Sequence, residues 1–511
     1  MLVNTENKGL NLYAIPIRES VSVWIEQDIL VPDTKPDAIK IINVTVNPYV
    51  TDIEVMDNKI KVTGKINYYV IYRTNETIMG TRGLFVTLPY TQVLNVKGIR
   101  KSTDVRVRTM VKNVIYSLPN ERKISIKTEV IFKVKGLEST YVNLIQHFSP
   151  DYKIETKLNR NEFNNIITSK YNIIASREDI MIPKDNEDFY EILKIEPSII
   201  NTEYKESYNK IMVKGDISVS LLYLVDNQDT EIKKLMLEIP FSGMIEMDNI
   251  NDKSKFTLDF VINDFNIRPN TEMSSTKTMS VDYQIGVYVN MFEQEEISYV
   301  DDFYSEDKEL KYDKVVTRAV KDENVIVKNI DIKDTLNNAL PDNSKLLDYT
   351  IDTSYIVLKQ TANKINIEGN VKIGVLIQNL DSLEIENKVV DVLVNEEYTL
   401  DEMKPDTNIS LNLVADKASV SQNGTDMDIK MKLNLNIKSE NMVDLNLADK
   451  IEVSDLNVSD LDSMNIYIVK PKDSLWSIAK KYNTTVDKIV QTNEITDQSI
   501  INVGQKILII R

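Results

Sequence analysis

Along most of the chain, apolar and polar residues alternate one by one, the pattern of a strand with one buried face. Three stretches repeat it in a common register. Each opens on Asn-Lys-Ile, at 58–60, 209–211 and 363–365, and each has a glycine six residues after its Asn, at Gly64, Gly215 and Gly369. The inward positions are Ile60, Val62, Ile66, Tyr68, Val70 and Tyr72 in the first copy. Ile211, Val213, Ile217, Val219, Leu221 and Tyr223 follow in the second, and Ile365, Ile367, Val371, Ile373, Val375 and Ile377 in the third. The openings lie 151 and 154 residues apart, too far for a solenoid turn and right for a whole domain. Three homologous domains in tandem are expected.

In every copy the glycine falls on the inward phase, which calls for a bulge or a close backbone approach. The first two copies agree further. Asp28 and Asp179 each precede the Asn by 30 residues, and Pro89 and Pro240 each follow it by 31. The two prolines read as Pro-aromatic corners. The two aspartates read as turn or capping residues, because carboxylates repeated in separate domains do not face each other across one cleft. Further alternating runs, at 122–135, 279–292 and 427–437, complete an antiparallel pattern. Polar linkers are expected near 150–165, in DDFYSEDKELKYDK from Asp301, and in DLNVSDLDSMN from Asp455.

From Asn465 the period changes. A short β-prone run, Ile466–Val469, is followed by a helix that Asp473 or Ser474 can cap, with Leu475, Ile478, Ala479 and Tyr482 on one face. Thr484 or Thr485 can cap a second helix bearing Val486, Ile489 and Val490, and Gly504 turns the chain into a closing strand, Gln505–Ile510. The expected fold class is therefore mainly β: three antiparallel β-rich repeats over 1–150, 165–310 and 318–455, then a small βααβ domain over 465–511.

Composition narrows the chemistry. With 61 Lys and Arg against 78 Asp and Glu the net charge is −17, which disfavours nucleic acid and anionic lipid as partners. There is no Cys and only one His, so thiol nucleophiles, disulfides and thiolate metal sites are excluded, and His147 has no second His with which to form a metal pair. His147 reads as a surface or capping residue. No phosphate-cradling glycine motif occurs, no run reaches the ~18 apolar residues of a membrane span, and the first residues lack the basic and apolar regions of a signal peptide. A non-enzymatic protein without cofactor or metal, kept in the cytoplasm and not inserted in a membrane, is expected. Over 465–511, seven basic and four acidic residues give +3, leaving −20 on the rest. A basic tip on an acidic body follows.

The C-terminal stretch resembles a LysM domain through Tyr-x-Val-Lys-Pro, Asp-Ser-Leu-Trp-x-Ile-Ala-x-Lys-Tyr, Thr-Thr-Val-Asp, Asn493 and Gly504-Gln505-Lys506-Ile507. LysM domains commonly bind N-acetylglucosamine glycans in a groove between two loops, which map here to Pro471–Leu475 and Ile495–Ile500. Lys472 stands where a Gly usually precedes the Asp, and its stem would crowd a glycan approaching the backbone. The repeats resemble the SPOCS domain of spore coat proteins, through Val31-Pro32-Asp33-Thr34-Lys35-Pro36-Asp37, Gly64–Tyr72 and Pro240-Phe241. Tandem SPOCS domains with one terminal LysM resemble the SipL-like, clostridial family of coat morphogenetic proteins. That resemblance implies a scaffold in the mother-cell cytoplasm at the forespore surface, whose partners are a SpoIVA-type coat morphogenetic ATPase and other coat proteins. A peptidoglycan or N-acetylglucosamine-glycan-binding wall protein is the alternative.

The candidate partner or glycan site comprises Pro471, Lys472, Asp473, Ser474, Leu475, Trp476 and Lys480, with Ile495, Thr496, Asp497, Gln498, Ser499 and Ile500. Trp476, one of two tryptophans, lies one step off the apolar helix face. It reads either as a partly buried packing residue or as an aromatic anchor for a protein partner.

Overall fold

The computed structural model describes residues 3–14, 16–75, 80–149, 153–182, 189–225, 231–269, 278–361, 363–382, 384–399, 407–456, 464–497 and 501–510. In the first repeat, strands β2 (Ile17–Leu30), β6 (Asp104–Asn120) and β7 (Lys123–Leu137) form a sheet of order β2-β7-β6. Strands β3 (Lys40–Met56), β4 (Lys59–Arg73) and β5 (Thr81–Asn95) form a second, β3-β4-β5. The inward rows of β4 and β7 supply one core, in which Ile60, Val62, Ile66, Tyr68, Val70 and Tyr72 meet Ile124, Ile126, Val130, Phe132 and Val134.

The second repeat has the same strand order. Strands β10 (Phe189–Ser207), β11 (Lys210–Val225) and β12 (Ile232–Glu246) form one sheet, and β13 (Ser254–Pro269), β14 (Thr278–Ser305) and β9 (Ile154–Met181) the other. In the third, β18 (Lys364–Asn379) lies between β19 (Ile385–Thr399) and a strand broken into β16 (Ser344–Asp352) and β17 (Ile356–Thr361). Its other sheet runs β15 (Lys308–Leu336), β21 (Asp426–Asp455), β20 (Thr407–Asn423). All eighteen inward residues of the three glycine-bearing strands are buried.

The repeated glycines mark close backbone approach. A Cβ on Gly64 would lie 2.1 Å from the Tyr49 carbonyl oxygen, and one on Gly369, where φ is +143°, 2.4 Å from that of Tyr355. Gly215 faces the Phe241 ring at 2.7 Å. Beside each glycine the neighbouring strand is irregular, bulged at Val50/Asp52 and at Ile200/Glu203 and broken between β16 and β17. The shared Asn has its own reason: Asn58 and Asn209 take φ of 59° and 54° in the hairpin turns before β4 and β11, a conformation Asn tolerates.

Three expectations are corrected. Pro89 and Pro240 make no corner; each sits within a straight edge strand, β5 or β12, where a missing N–H breaks no ladder. Asp28 and Asp179 are strand residues paired opposite Ser125 and Ser280, and Asp28 also binds Lys123 at 2.7 Å. The stretches near 150–165 and from Asp301 are not polar linkers. Strand β9 begins at Ile154, and only Glu306 and Asp307 separate β14 from β15.

These strand extensions build a ring. Beyond each sandwich, the first and last strands continue as a two-stranded ribbon: β1 (Thr5–Tyr13) with β8 (Ser139–Phe148), the start of β9 with the end of β14, and the start of β15 with the end of β21. The three ribbons share a core that includes Leu10, Leu144, Phe163, Tyr299, Ala319 and Leu445. At the other end Ile42, Leu193 and Leu347, equivalent in their repeats, pack with Ile71, Leu222 and Leu376. Contacts run head to tail: the Gly83 amide of β5 donates to Glu191 of β10, Lys234 of β12 pairs with Asp348 of β16, and Asn387 of β19 donates to Asn43 of β3. Gly83, Lys234 and Asn387 stand opposite Ile71, Leu222 and Leu376, so one interface is used three times and closes within a single chain.

The C-terminal module is βααβ, with β22 (Met464–Ile468), α1 (Leu475–Lys481), α2 (Val486–Thr492) and β23 (Lys506–Ile510). Leu475, Ile478, Ala479, Ile489, Ile507 and Ile509 form its core, and Tyr304 of the second repeat belongs to the same cluster.

Candidate partner-binding site

Helix α1 begins where a capping box allows it. The Ser474 hydroxyl accepts from the Ser477 amide, and the Ser477 hydroxyl accepts from the Ser474 amide. Asp473 does not cap. Its carboxylate accepts from the Lys470 amide at 2.8 Å and the Tyr467 hydroxyl at 2.7 Å, and these bonds hold its pKa below the ordinary carboxylate value. Helix α2 is capped by Thr485, which accepts from the Lys488 amide. Lys472 has φ of +71°, a left-handed conformation that glycine adopts freely and that strains a lysine. The glycine usual at this position therefore has a conformational reason independent of any ligand.

Pro471, Lys472 and Ser474 are exposed, Asp473 is half-buried and Leu475 is in the core. In the second loop Ile495 is half-buried and Thr496 and Asp497 are exposed, while Gln498, Ser499 and Ile500 lie outside the described residues. Trp476 and Lys480 converge on one carboxylate of the second repeat: the indole N–H donates to Asp302 at 2.7 Å, and the Lys480 ammonium pairs with the same side chain. Burial pushes the Asp302 pKa up, but the bonds from Lys480 and Trp476 outweigh it and leave the group below its ordinary value.

Four further contacts complete this docking. The Tyr304 ring meets Trp476 edge-on with centroids 5.0 Å apart, and its hydroxyl donates to the Thr484 carbonyl at 2.7 Å. Asn483 donates to the Ser305 carbonyl at 3.0 Å, and Lys488 pairs with Glu306 at 2.5 Å. Sequence reasoning missed Asp302, Tyr304, Glu306, Asn483 and Lys488 as parts of this site. The usable signal was the spacing of Asp302 and Tyr304, which a strand places on one face.

His147 is exposed on β8 opposite Glu6. Among the described residues no group of three His, Cys, Asp or Glu is placed to hold a metal ion, and no helix is long and apolar enough to cross a membrane. A cleft of about 400 Å³ beside Lys194 is lined by Asn43, Thr350, Asp352 and Asn387, and Lys194 there pairs with Asp348 and Glu196.

The family model described as SipL, SPOCS domain, matches residues 37–119 and again 188–270, and the LysM domain model matches 467–509. The chain thus carries two SPOCS domains in tandem and a terminal LysM domain. The matched SPOCS segments cover β3 to β6 and β10 to β13, and the third repeat has the same strand order without a match of its own. No curated protein and no solved structure matches the chain. SPOCS and LysM domains are non-enzymatic scaffolding modules, and together they support a role in spore coat assembly, at a sporulation-associated coat location, through contacts with coat proteins. Lys35 of the stretch Val31–Asp37 donates to the Gly83 carbonyl at 2.7 Å and pairs with Glu191 of the next repeat, so that stretch helps hold the ring.

Proposed function

We infer that the LysM domain docks this chain on a SpoIVA-type coat morphogenetic ATPase at the forespore surface, from the mother-cell cytoplasm, and that the SPOCS ring presents contacts to further coat proteins. The observation that carries this reading is the hold of Trp476 and Lys480 on a protein carboxylate, which is chemistry for a protein partner rather than for a neutral sugar. Lys472 adds to it, with a charged stem at the loop where a glycan would approach. The site comprises Pro471–Trp476, Lys480 and the loop 495–500. The LysM match itself favours a second reading, binding of N-acetylglucosamine glycan in peptidoglycan.

Titration of the full chain against the ATPase and against sedimented peptidoglycan separates the two. Trp476→Ala should weaken ATPase binding about thirtyfold, as expected when a buried aromatic anchor worth ~2 kcal/mol is truncated, while circular dichroism stays native. Wild-type affinity in that variant, together with tight binding to peptidoglycan, replaces the docking reading with the wall-binding one.

A further inference from the structure

The strand end 302–306 sits on the LysM domain as a ligand would. The last residues of β14 place Asp302 and Tyr304 on one face, Glu306 follows in the bend beyond Ser305, and each of the three meets its own receptor on the domain. Asp302 is held by Trp476 and Lys480 of α1, the Tyr304 hydroxyl by the Thr484 carbonyl between the helices, and Glu306 by Lys488 of α2. Asn483 reads the backbone at the Ser305 carbonyl, a contact open to any extended segment. Donors on α1 and α2, the Thr484 carbonyl acceptor between them and the Trp476 ring thus form a row in register with the pattern acid-x-Tyr-x-acid.

The contacts are of an exchangeable kind. The Lys480 and Lys488 side chains and their carboxylate partners are 22–50 % exposed, and ion pairs so open to solvent are weak. Among the described residues, only Tyr304 reaches the domain's core from the second repeat. The +3 charge of residues 465–511 against −20 elsewhere favours any acidic segment presented to the module.

We propose that the α1–α2 face of the LysM domain is a binding site for an extended acidic-aromatic peptide of the form acid-x-Tyr-x-acid, filled in this conformation by the chain's own residues 302–306. Resting on the docking reading above, the ATPase takes the same face with a segment of like chemistry, displacing the internal one.

The test uses the full chain carrying Trp24→Phe, so that Trp476 is the only tryptophan. Asp302→Asn with Glu306→Gln weakens the internal segment, and a synthetic peptide of residues 300–308 is the probe. Tethering gives the internal segment an effective concentration on the order of millimolar, so the unweakened chain should bind the peptide at least tenfold more weakly than the variant does. Binding to the variant should saturate, weaken as salt rises, and vanish for a peptide with every acid replaced by its amide. If the amide peptide binds equally well, or the folded variant binds neither peptide, the proposal is overturned. Should the variant fail to fold, Lys480→Glu with Lys488→Glu provides a second route: that chain should prefer a peptide with Lys in place of the two acids, and indifference to the swap overturns the site. ATPase affinity about tenfold tighter for the weakened variant supports the shared face. Unchanged ATPase affinity beside clear peptide binding overturns the shared face alone, and absence of ATPase binding to either chain removes the docking reading while the peptide result stands.

Discussion

Lys194 and Asp348 occupy equivalent positions in successive repeats, opposite Leu222 and Leu376, and their side chains meet at 2.7 Å as a buried ion pair across the ring. Asn43 holds the same position in the first repeat, opposite Ile71. Burial works against the charge on Lys194, but Glu196 and Asp348 raise its pKa, and Asp348 is lowered despite its own burial. Asp348→Ala should destabilise the ring by roughly 3 kcal/mol, because it leaves a buried ammonium with Glu196 alone. Lys194→Met combined with Asp348→Leu should lose less, since apolar residues replace the buried pair and the partners left over, Lys234 and Glu196, are each partly exposed. Urea unfolding followed by tyrosine fluorescence compares the two.

Lys472→Gly should stabilise the LysM domain. A left-handed non-glycine residue costs about 1–2 kcal/mol, offset by roughly 0.5–1 kcal/mol for the added backbone freedom of glycine in the unfolded chain. A net gain of up to about 1.5 kcal/mol should appear as a higher melting temperature for the module's transition. The same variant should bind peptidoglycan better, if any single change makes it do so.

Gly64→Ala should be among the most damaging of methyl additions. The new carbon would meet the Tyr49 carbonyl oxygen at 2.1 Å, a backbone atom that cannot swing aside. A loss of roughly 3 kcal/mol is expected, within the range for strain in a packed core. Gly424→Asn is the contrast: φ is +63° with nothing within 4 Å of the added Cβ, and Asn tolerates that conformation. Denaturant midpoints for both variants check the difference.

Acid should release the LysM domain from the second repeat. Because the docked Asp302 has a pKa below its value in the undocked chain, its contribution is complete above the ordinary carboxylate range and is lost as pH falls through the depressed value. Glu155, paired opposite Tyr304, has the reverse sign. Burial and then the neighbouring Glu306 and Asp487 raise its pKa against the pull of Lys488, so its protonation slightly favours docking at a pH above that at which Asp302 titrates. Fluorescence of Trp476 in a Trp24→Phe chain should therefore hold or strengthen its docked signal as pH enters the ordinary carboxylate range and lose it only below the ordinary Asp value. A signal lost between pH 7 and 5 would contradict this assignment.

The sandwich cores were legible because strict alternation states which residues face inward, and the glycines stood out as breaks in that phase. The ring was less so, although a signal existed. At the ends of β4, β11 and β18 alternation gives way to continuous apolar runs, Tyr69–Tyr72, Leu221–Val225 and Val375–Ile377, the mark of a strand covered on both faces. The outward members Ile71, Leu222 and Leu376 are the residues that meet around the ring. At the LysM domain the helices, caps and apolar faces followed from local pattern. The partner of Trp476 did not: Asp302 lies 174 residues away, in a stretch whose acidity reads as a solvated linker while its alternation belongs to a strand.

Closure of three repeats within one chain also sets stoichiometry. Three separate copies of a one-repeat protein joined through the same head-to-tail contact would carry three identical heads around their axis. Here the repeats differ, with Asn43, Lys194 and Asp348 at one shared position, and it is the second repeat whose segment Asp302–Glu306 receives the LysM domain. Each ring accordingly carries a single head at a fixed azimuth, and a lattice built from such units would take its polarity from the fold itself.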